Sequence, residues 1–207
     1  MLFRSRQLPL LEGSDKVGVV YSRRQRILAS GQPMAERDEG PVFSGDVTAE
    51  LFKTNFIPFG TAVVRRQCLE DLGGFDERYR MGIDWDLWLR ISTRYEFRFV
   101  DAITYMYRVW PGQMSNNWRG RYEAAFRIME KFLNDYPTAV PESVVKRAYA
   151  HSYAERGRYR TLLDSEYWCG MQDAFTALKY EPFYRPAWKL MARIGATAAG
   201  WPRPKMG

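Results

Sequence analysis

Short apolar runs alternate with polar segments over the first half of the chain, a pattern that predicts a mixed α/β fold. The runs that predict strands lie at residues 17–21, 61–65, 97–100 and 103–109. Short helices are predicted at residues 4–11, 48–53, 67–72 and 84–94. Residues 22–45 are rich in Arg, Gly, Pro and acidic side chains, so they predict a loop.

From about residue 118 onward, apolar side chains recur at three- and four-residue steps, which indicates helices throughout. These helices are predicted at residues 122–136, 144–157, 159–180 and 185–194. We therefore divide the chain into a mixed part, residues 1–118, and a helical tail, residues 119–207. The tail weakly resembles one tetratricopeptide unit, with the two halves out of register by one residue. The matching positions are Tyr153, Gly157, Ala177 and Pro182. Helical hairpins packed on the mixed part are the favoured interpretation.

Composition places the chain among folded proteins, since 46% of its 207 residues are hydrophobic and 15% are aromatic. The sequence contains no run of about 18 apolar residues, so no transmembrane helix is predicted. The first residues lack the apolar centre of a signal peptide. Cys68 and Cys169 are far apart and are typical of reduced cytosolic thiols. We expect a cytoplasmic protein, peripheral at the inner face of the membrane.

The formal net charge of +7 is compatible with nucleic acid, an anionic membrane surface or a phosphate-bearing substrate. A solvated basic surface explains it equally well. The basic residues form short clusters, and the sequence has neither zinc-finger spacing nor an aromatic RNA-binding motif, so we expect no nucleic-acid partner. The single histidine, His151, offers little for a histidine-based metal site, and no metal ligand is predicted.

The most distinctive stretch joins a glycine turn to a carboxylate-rich helix start. Gly73-Gly74-Phe75-Asp76-Glu77 is followed by Asp84-Trp85-Asp86-Leu87-Trp88-Leu89-Arg90. Two glycines after a short helix are typical of a helix C-terminus. Asp84 and Asp86 fall in the first turn of the next helix, where the helix dipole favours negative charge. Taken alone, they favour helix-start carboxylates without a catalytic role.

The order of these motifs resembles the C-terminal half of the catalytic domain of inverting family 2 glycosyltransferases, over roughly residues 1–118. The likeness also includes Asn-x-Ile-Pro at residues 55–58, Tyr107-Arg108 and Gly112-Gln113-Met114-Ser115. It implies an α/β fold in which a partial GT-A-like mixed sheet with flanking helices is followed by an all-helical C-terminal region. It also implies transfer of a sugar from a nucleotide-sugar donor to an acceptor hydroxyl, with inversion.

The resemblance assigns Asp84 as the general base, which takes a proton from the acceptor hydroxyl. Gly73 and Gly74 would let the backbone approach the acceptor, and Trp85 would stack on an acceptor sugar. Asp86 would accept a hydroxyl or cap the helix. Arg108 would face the donor diphosphate, or would be an exposed arginine at a strand end.

The sequence departs from the family pattern at two places. Ile83 replaces the glutamate that precedes the base, so the assignment depends on Asp84 alone. Val109 and Trp110 stand where many members carry a histidine, so a role for that histidine is not expected.

The donor-binding half of the family, with the Asp-x-Asp pair that binds Mg2+ or Mn2+, is expected to be missing. We therefore expect an incomplete catalytic domain that binds no cofactor alone, with Mg or Mn bound only when that segment is present. The partners would be a nucleotide sugar and a glycan or lipid-linked acceptor. A second copy or another chain would cover the open sheet edge. The alternative is a non-catalytic scaffold protein that binds a partner through the helical tail.

Overall fold

The computed structural model describes residues 2–35 and 40–198. The elements of the mixed part are α1 (Leu2–Glu12), β1 (Val17–Ile27), α2 (Thr48–Lys53), β2 (Val63–Val64), α3 (Arg66–Leu72), α4 (Ile83–Ser92) and β3 (Glu96–Arg108). The helical region contains α5 (Trp118–Asp135), α6 (Glu142–Leu163), α7 (Tyr167–Tyr180) and α8 (Arg185–Ala198). Short 3-10 turns at Phe59–Thr61 and Met114–Asn116 connect these elements.

The sheet has three strands in the order β2-β1-β3. β1 pairs antiparallel with β2 and parallel with β3. Helix α1 is attached to the sheet by Gln7, which is buried and donates to the carbonyls of Val20 and Thr61 at 3.1 and 2.7 Å. The α/β prediction is therefore confirmed, with a mixed sheet, flanking helices and a helical C-terminal region.

The two long strands extend further than the apolar runs predict. β1 continues to Ile27, through the first part of the predicted loop at residues 22–45, and β3 is one strand rather than two. Pairing between β1 and β3 supplies the backbone partners, with register shifts near Ser22 and Arg23. Cross-strand contacts support the polar end, including the Arg24 guanidinium 4.9 Å from the Tyr107 ring. Tertiary pairing thus overrides the polar local composition.

The boundary predicted between the second and third tail helices is wrong. α6 runs through Gly157 to Leu163, and the break falls at Asp164–Glu166, where Ser165 has a φ of 57°. Gly157 does not end the helix because it lies where α6 packs closely on α7. A Cβ there would lie 2.9 Å from the Gly170 carbonyl oxygen and 2.8 Å from Leu190.

One apolar core spans the predicted boundary at Trp118. Its buried side chains from the mixed part include Leu51, Phe52, Trp88 and Phe97. From the helical region, the same core includes Ile128, Met129, Phe132 and Ala148. The division into two domains stays a prediction. Because the core is shared, α5 and α6 pack against the mixed part beside α4.

No helix among the described residues is long and apolar enough to cross a membrane. Cys68 and Cys169 are both free thiols.

Candidate functional site

The first turn of α4 places Asp84 at the edge of an open cleft. Gly82 precedes the helix with a φ of 71°, and Asp84 is its second residue. The Asn55 side-chain amide donates to the Asp84 carboxylate at 3.0 Å. Asn55 is itself held in a turn, because its side-chain oxygen accepts from the backbone N–H of Ile57 at 3.3 Å. The carboxylate is therefore oriented by a neighbouring loop as well as by its own helix.

The cleft has a volume of about 540 Å³ and lies between the start of α4, the segment after α2, the end of β3 and helices α5 and α6. Its polar lining comprises Lys53, Thr54, Asn55, Asp84, Gln113, Ser115, Arg121, His151 and Ser152. Its aromatic and apolar lining comprises Met81, Trp85, Tyr107, Met114, Tyr122, Ala125 and Ile128. A concave site with mainly apolar walls and a few placed polar groups is typical of small-molecule binding.

Burial raises the pKa of Asp84 above its usual range, and the hydrogen bond from Asn55 opposes that shift. A carboxylate with a raised pKa is a stronger base than an ordinary aspartate. The environment of Asp84 therefore suits proton abstraction. A carboxylate that only capped the helix would not require a raised pKa.

Asp86, two residues along, faces a different environment. Its carboxylate is buried and accepts from Arg90 Nε and Nη2 at 2.9 and 2.7 Å. Arg90 also donates to the carbonyls of Leu72 and Gly74 at 2.6 and 2.8 Å. Gly73 has a φ of 79°, as predicted for the residue after a helix. The Asp86–Arg90 pair thus holds the glycine turn in place.

The predicted site residues are only partly brought together. Asp84 and Trp85 line the cleft, whereas Gly73, Gly74, Asp86 and Arg108 are not among the described residues that line it. Trp85 is 7% exposed, and its indole N–H donates to the Leu51 carbonyl at 2.7 Å. Arg108 is exposed and donates to the carbonyls of Leu28 and Ala29 at 3.2 and 2.6 Å.

The structure adds residues that the sequence reasoning missed. His151 lies on the α6 wall of the cleft, with Nδ1 3.1 Å from the Tyr184 hydroxyl. Burial lowers the pKa of His151, so its ring is neutral at pH 7. The sequence feature that could have predicted this is the position of His151 on the apolar face of α6, one turn after Ala148. Asn55 belongs to the Asn-x-Ile-Pro motif, but the motif alone gave it no role.

Among the described residues, no group of three or more His, Cys, Asp or Glu side chains could hold a metal ion. Among the described residues that line the cleft, Asp84 supplies the only carboxylate. The residues that the structure describes therefore supply a proton acceptor and an apolar cleft.

Comparison with known proteins supplies the family. A search of curated proteins found no match. The model of the family described as "Glycosyltransferase like family 2" matches residues 16–175, which cover the sheet, the cleft and most of the helical region. The cleft beside Asp84 lies wholly within the match. The chain therefore belongs to glycosyltransferase-like family 2.

Proposed function

We propose that this protein takes part in the inverting transfer of a sugar from a nucleotide-sugar donor to an acceptor hydroxyl, with Asp84 as the general base. Family membership implies a sugar donor and an acceptor. The observation that carries the proposal is the position of Asp84, a carboxylate with a raised pKa on the wall of a 540 Å³ cleft.

The chemistry requires one carboxylate beside the attacking hydroxyl. Asp84 takes the hydroxyl proton as the acceptor oxygen forms a bond to the anomeric carbon of the donor. The bond from that carbon to the diphosphate breaks on the opposite face, and the electron pair leaves with the diphosphate, so the configuration inverts. Asn55, 3.0 Å from Asp84, keeps the carboxylate oriented during this step.

The walls of the cleft favour an acceptor that is partly apolar. Met81, Met114 and Ile128 offer apolar surface, while Tyr107 and Ser115 share a hydrogen bond of 3.0 Å at the rim. A glycan carried on a lipid or another apolar group fits this lining better than a fully polar sugar chain. Trp85 is 7% exposed, so it offers only a small surface for contact with a sugar.

The donor side of the proposal rests on the family resemblance. Arg108 is proposed to meet the donor diphosphate, although its guanidinium now holds the Leu28 and Ala29 carbonyls. An Asp-x-Asp segment with Mg2+ or Mn2+ would hold the diphosphate. We therefore expect the chain alone to bind no UDP- or GDP-sugar at micromolar concentrations with Mn2+ present. Calorimetric titration tests this, and micromolar affinity would contradict the expectation that the described residues do not hold the donor diphosphate by themselves.

The base is tested by Asp84→Asn, with Glu77→Gln as the matched control because Glu77 is an exposed carboxylate outside the cleft. The readout is incorporation of radiolabelled sugar by cells that express the gene, where any further donor-binding segment is available. Loss of a general base is expected to lower the rate about 10²- to 10⁴-fold, and the control should leave it unchanged. Full activity of Asp84→Asn would reject Asp84 as the base.

The alternative is a non-catalytic scaffold that binds through the helical tail. Large exposed aromatic side chains on α7, on α8 and in the loop between them, among them Trp168 and Phe183, favour a docking role for that region. Asp84→Asn with unchanged biological activity would support this alternative.

A further inference from the structure

Helix α7 carries a regular outer stripe that does not contact the core. The residues of the stripe are Trp168, Gln172, Phe175 and Lys179, spaced by four, three and four positions. Trp168 and Phe175 are 73% and 52% exposed. The opposite side of α7, with Ala174 and Ala177, is fully buried. The aromatic residues therefore point away from the protein.

The same pattern continues through the α7–α8 loop into α8. Phe183 in the loop is 90% exposed and Trp188 is 53% exposed. The Trp188 indole donates to the Pro182 carbonyl at 2.9 Å, which fixes that ring beside the loop that carries Phe183. We call Trp168, Phe175, Phe183 and Trp188 the hairpin aromatic face.

The charged side chains of α7, α8 and the loop between them that form no salt bridge with a described residue are all positive. Lys179, Arg185, Lys189 and Arg193 are exposed, and no salt bridge joins them to another described residue. The acidic residues between 167 and 198 are Asp173 and Glu181. Both are already neutralised.

The neutralising partners of these acids lie on α6. Asp173 is buried and accepts from Arg156 Nη2 and Arg160 Nη1 at 2.6 and 3.1 Å. Glu181 is paired with Arg147. The α7–α8 hairpin that carries the hairpin aromatic face thus also carries four exposed cations that have no acidic partner among the residues that the structure describes.

We propose that the hairpin aromatic face binds the surface of a membrane that contains anionic lipids. Trp and Phe side chains partition into the interface between lipid headgroups and acyl chains. Unpaired Lys and Arg side chains beside them are attracted by anionic headgroups. An acidic protein would match the charges, but four exposed aromatic rings on one helical hairpin match the layered polarity of a lipid interface better.

One residue next to the hairpin aromatic face also contacts the cleft wall. Tyr184 follows Phe183 in the chain, and its hydroxyl lies 3.1 Å from His151 Nδ1 on the cleft wall. The Arg147 guanidinium lies 4.8 Å from the Tyr184 ring. Tyr184 therefore links the loop that carries Phe183 to the α6 wall of the cleft.

Vesicle flotation tests the proposal with the full chain. Vesicles of phosphatidylcholine with phosphatidylglycerol are compared with vesicles of phosphatidylcholine alone, at low and high salt. We expect binding to the anionic vesicles only, weakened by salt. Lys179→Glu with Lys189→Glu should lower the partition coefficient at least about tenfold, since each lysine near an anionic surface contributes about fivefold.

The matched control reverses two exposed arginines elsewhere, Arg66→Glu with Arg80→Glu, which changes the net charge by the same amount. Trp168→Ser with Phe183→Ser tests the aromatic contribution, with exposed Trp110→Ser as its control. Equal loss of binding in test and control variants, or no flotation of the wild-type chain, would overturn the proposal. A dimer detected by light scattering and abolished by Phe183→Ser would instead identify the face as a contact between two copies.

Discussion

At the scale of single residues, two aspartates in one helical turn have different environments. Asp84 faces a cleft and is held by the neutral amide of Asn55, so its charge is poorly compensated. Asp86 faces inward and is neutralised by Arg90, which also holds the glycine turn. Because the partners differ, removal of the negative charge should have opposite effects on stability at the two positions.

Asp84→Asn is expected to raise the free energy of unfolding at pH 7. The folded-state pKa of Asp84 is above its unfolded value, so the folded chain binds more protons between these two pKa values. Stability therefore falls as pH rises through that window. The gain from Asp84→Asn should be present above the raised pKa and vanish below about pH 3.9. Urea denaturation at several pH values measures it, and a loss of stability at pH 7 would contradict the expected burial cost.

Asp86→Asn is expected to lower the free energy of unfolding by about 3–5 kcal/mol, because it leaves the Arg90 charge buried without a counter-ion. The control is Glu123→Gln, which breaks the exposed pair between Glu123 and Arg127 with the same four-residue spacing. An exposed pair contributes about 0–1 kcal/mol. Urea denaturation compares the two, and similar losses would show that burial of the first pair has no energetic consequence.

At the scale of elements, the close contact of α6 with α7 determines where the helices of the tail begin and end. Gly157 and Gly170 face each other across this contact, and the Asp173 carboxylate lies between Arg156 and Arg160. The absence of side chains at the two glycines allows the helices to approach, and the approach buries the ion pairs. The helices are therefore fixed by packing between elements rather than by local helix propensity.

Gly157→Ala is expected to lower the free energy of unfolding by about 1–3 kcal/mol, because the added methyl group overpacks the contact with Leu190 and Gly170. Gly195→Ala is the matched control on α8, where nothing lies within 4 Å of the added Cβ. Helix propensity predicts a gain of up to about 1 kcal/mol there. Thermal unfolding of both variants separates packing from propensity. A gain at both positions would contradict the close contact.

At the scale of the whole molecule, the sheet leaves one long strand at its edge. β3 pairs with β1 on one side, and its outer half exposes Ile103, Tyr105 and Met106. An exposed edge with apolar side chains favours pairing with another chain. The covering of this edge by a second copy stays a prediction.

Light scattering across a range of protein concentrations tests self-association at this edge. We expect a concentration-dependent dimer that Ile103→Lys with Met106→Lys abolishes, because lysine side chains on an exposed edge strand oppose its pairing with another chain. Leu10→Lys, at an exposed position on α1, is the control and should leave the dimer unchanged. A monomer at every concentration would contradict the prediction.

The sequence by itself determined the mixed fold class, the position of Asp84 at a helix start and the order of helices and strands, except that two predicted strands form the single strand β3. These follow from local patterns: apolar periodicity, glycine after a helix and carboxylates in a first turn. Only the tertiary structure decided the extension of β1, the passage of α6 through Gly157 and the division of roles between Asp84 and Asp86. Each depends on a partner distant in sequence: β1 pairs with β3, Gly157 packs against Leu190, and Asp84 accepts from Asn55. Strand partners, interhelical distance and the burial of a charge are set by such neighbours, which no local pattern encodes.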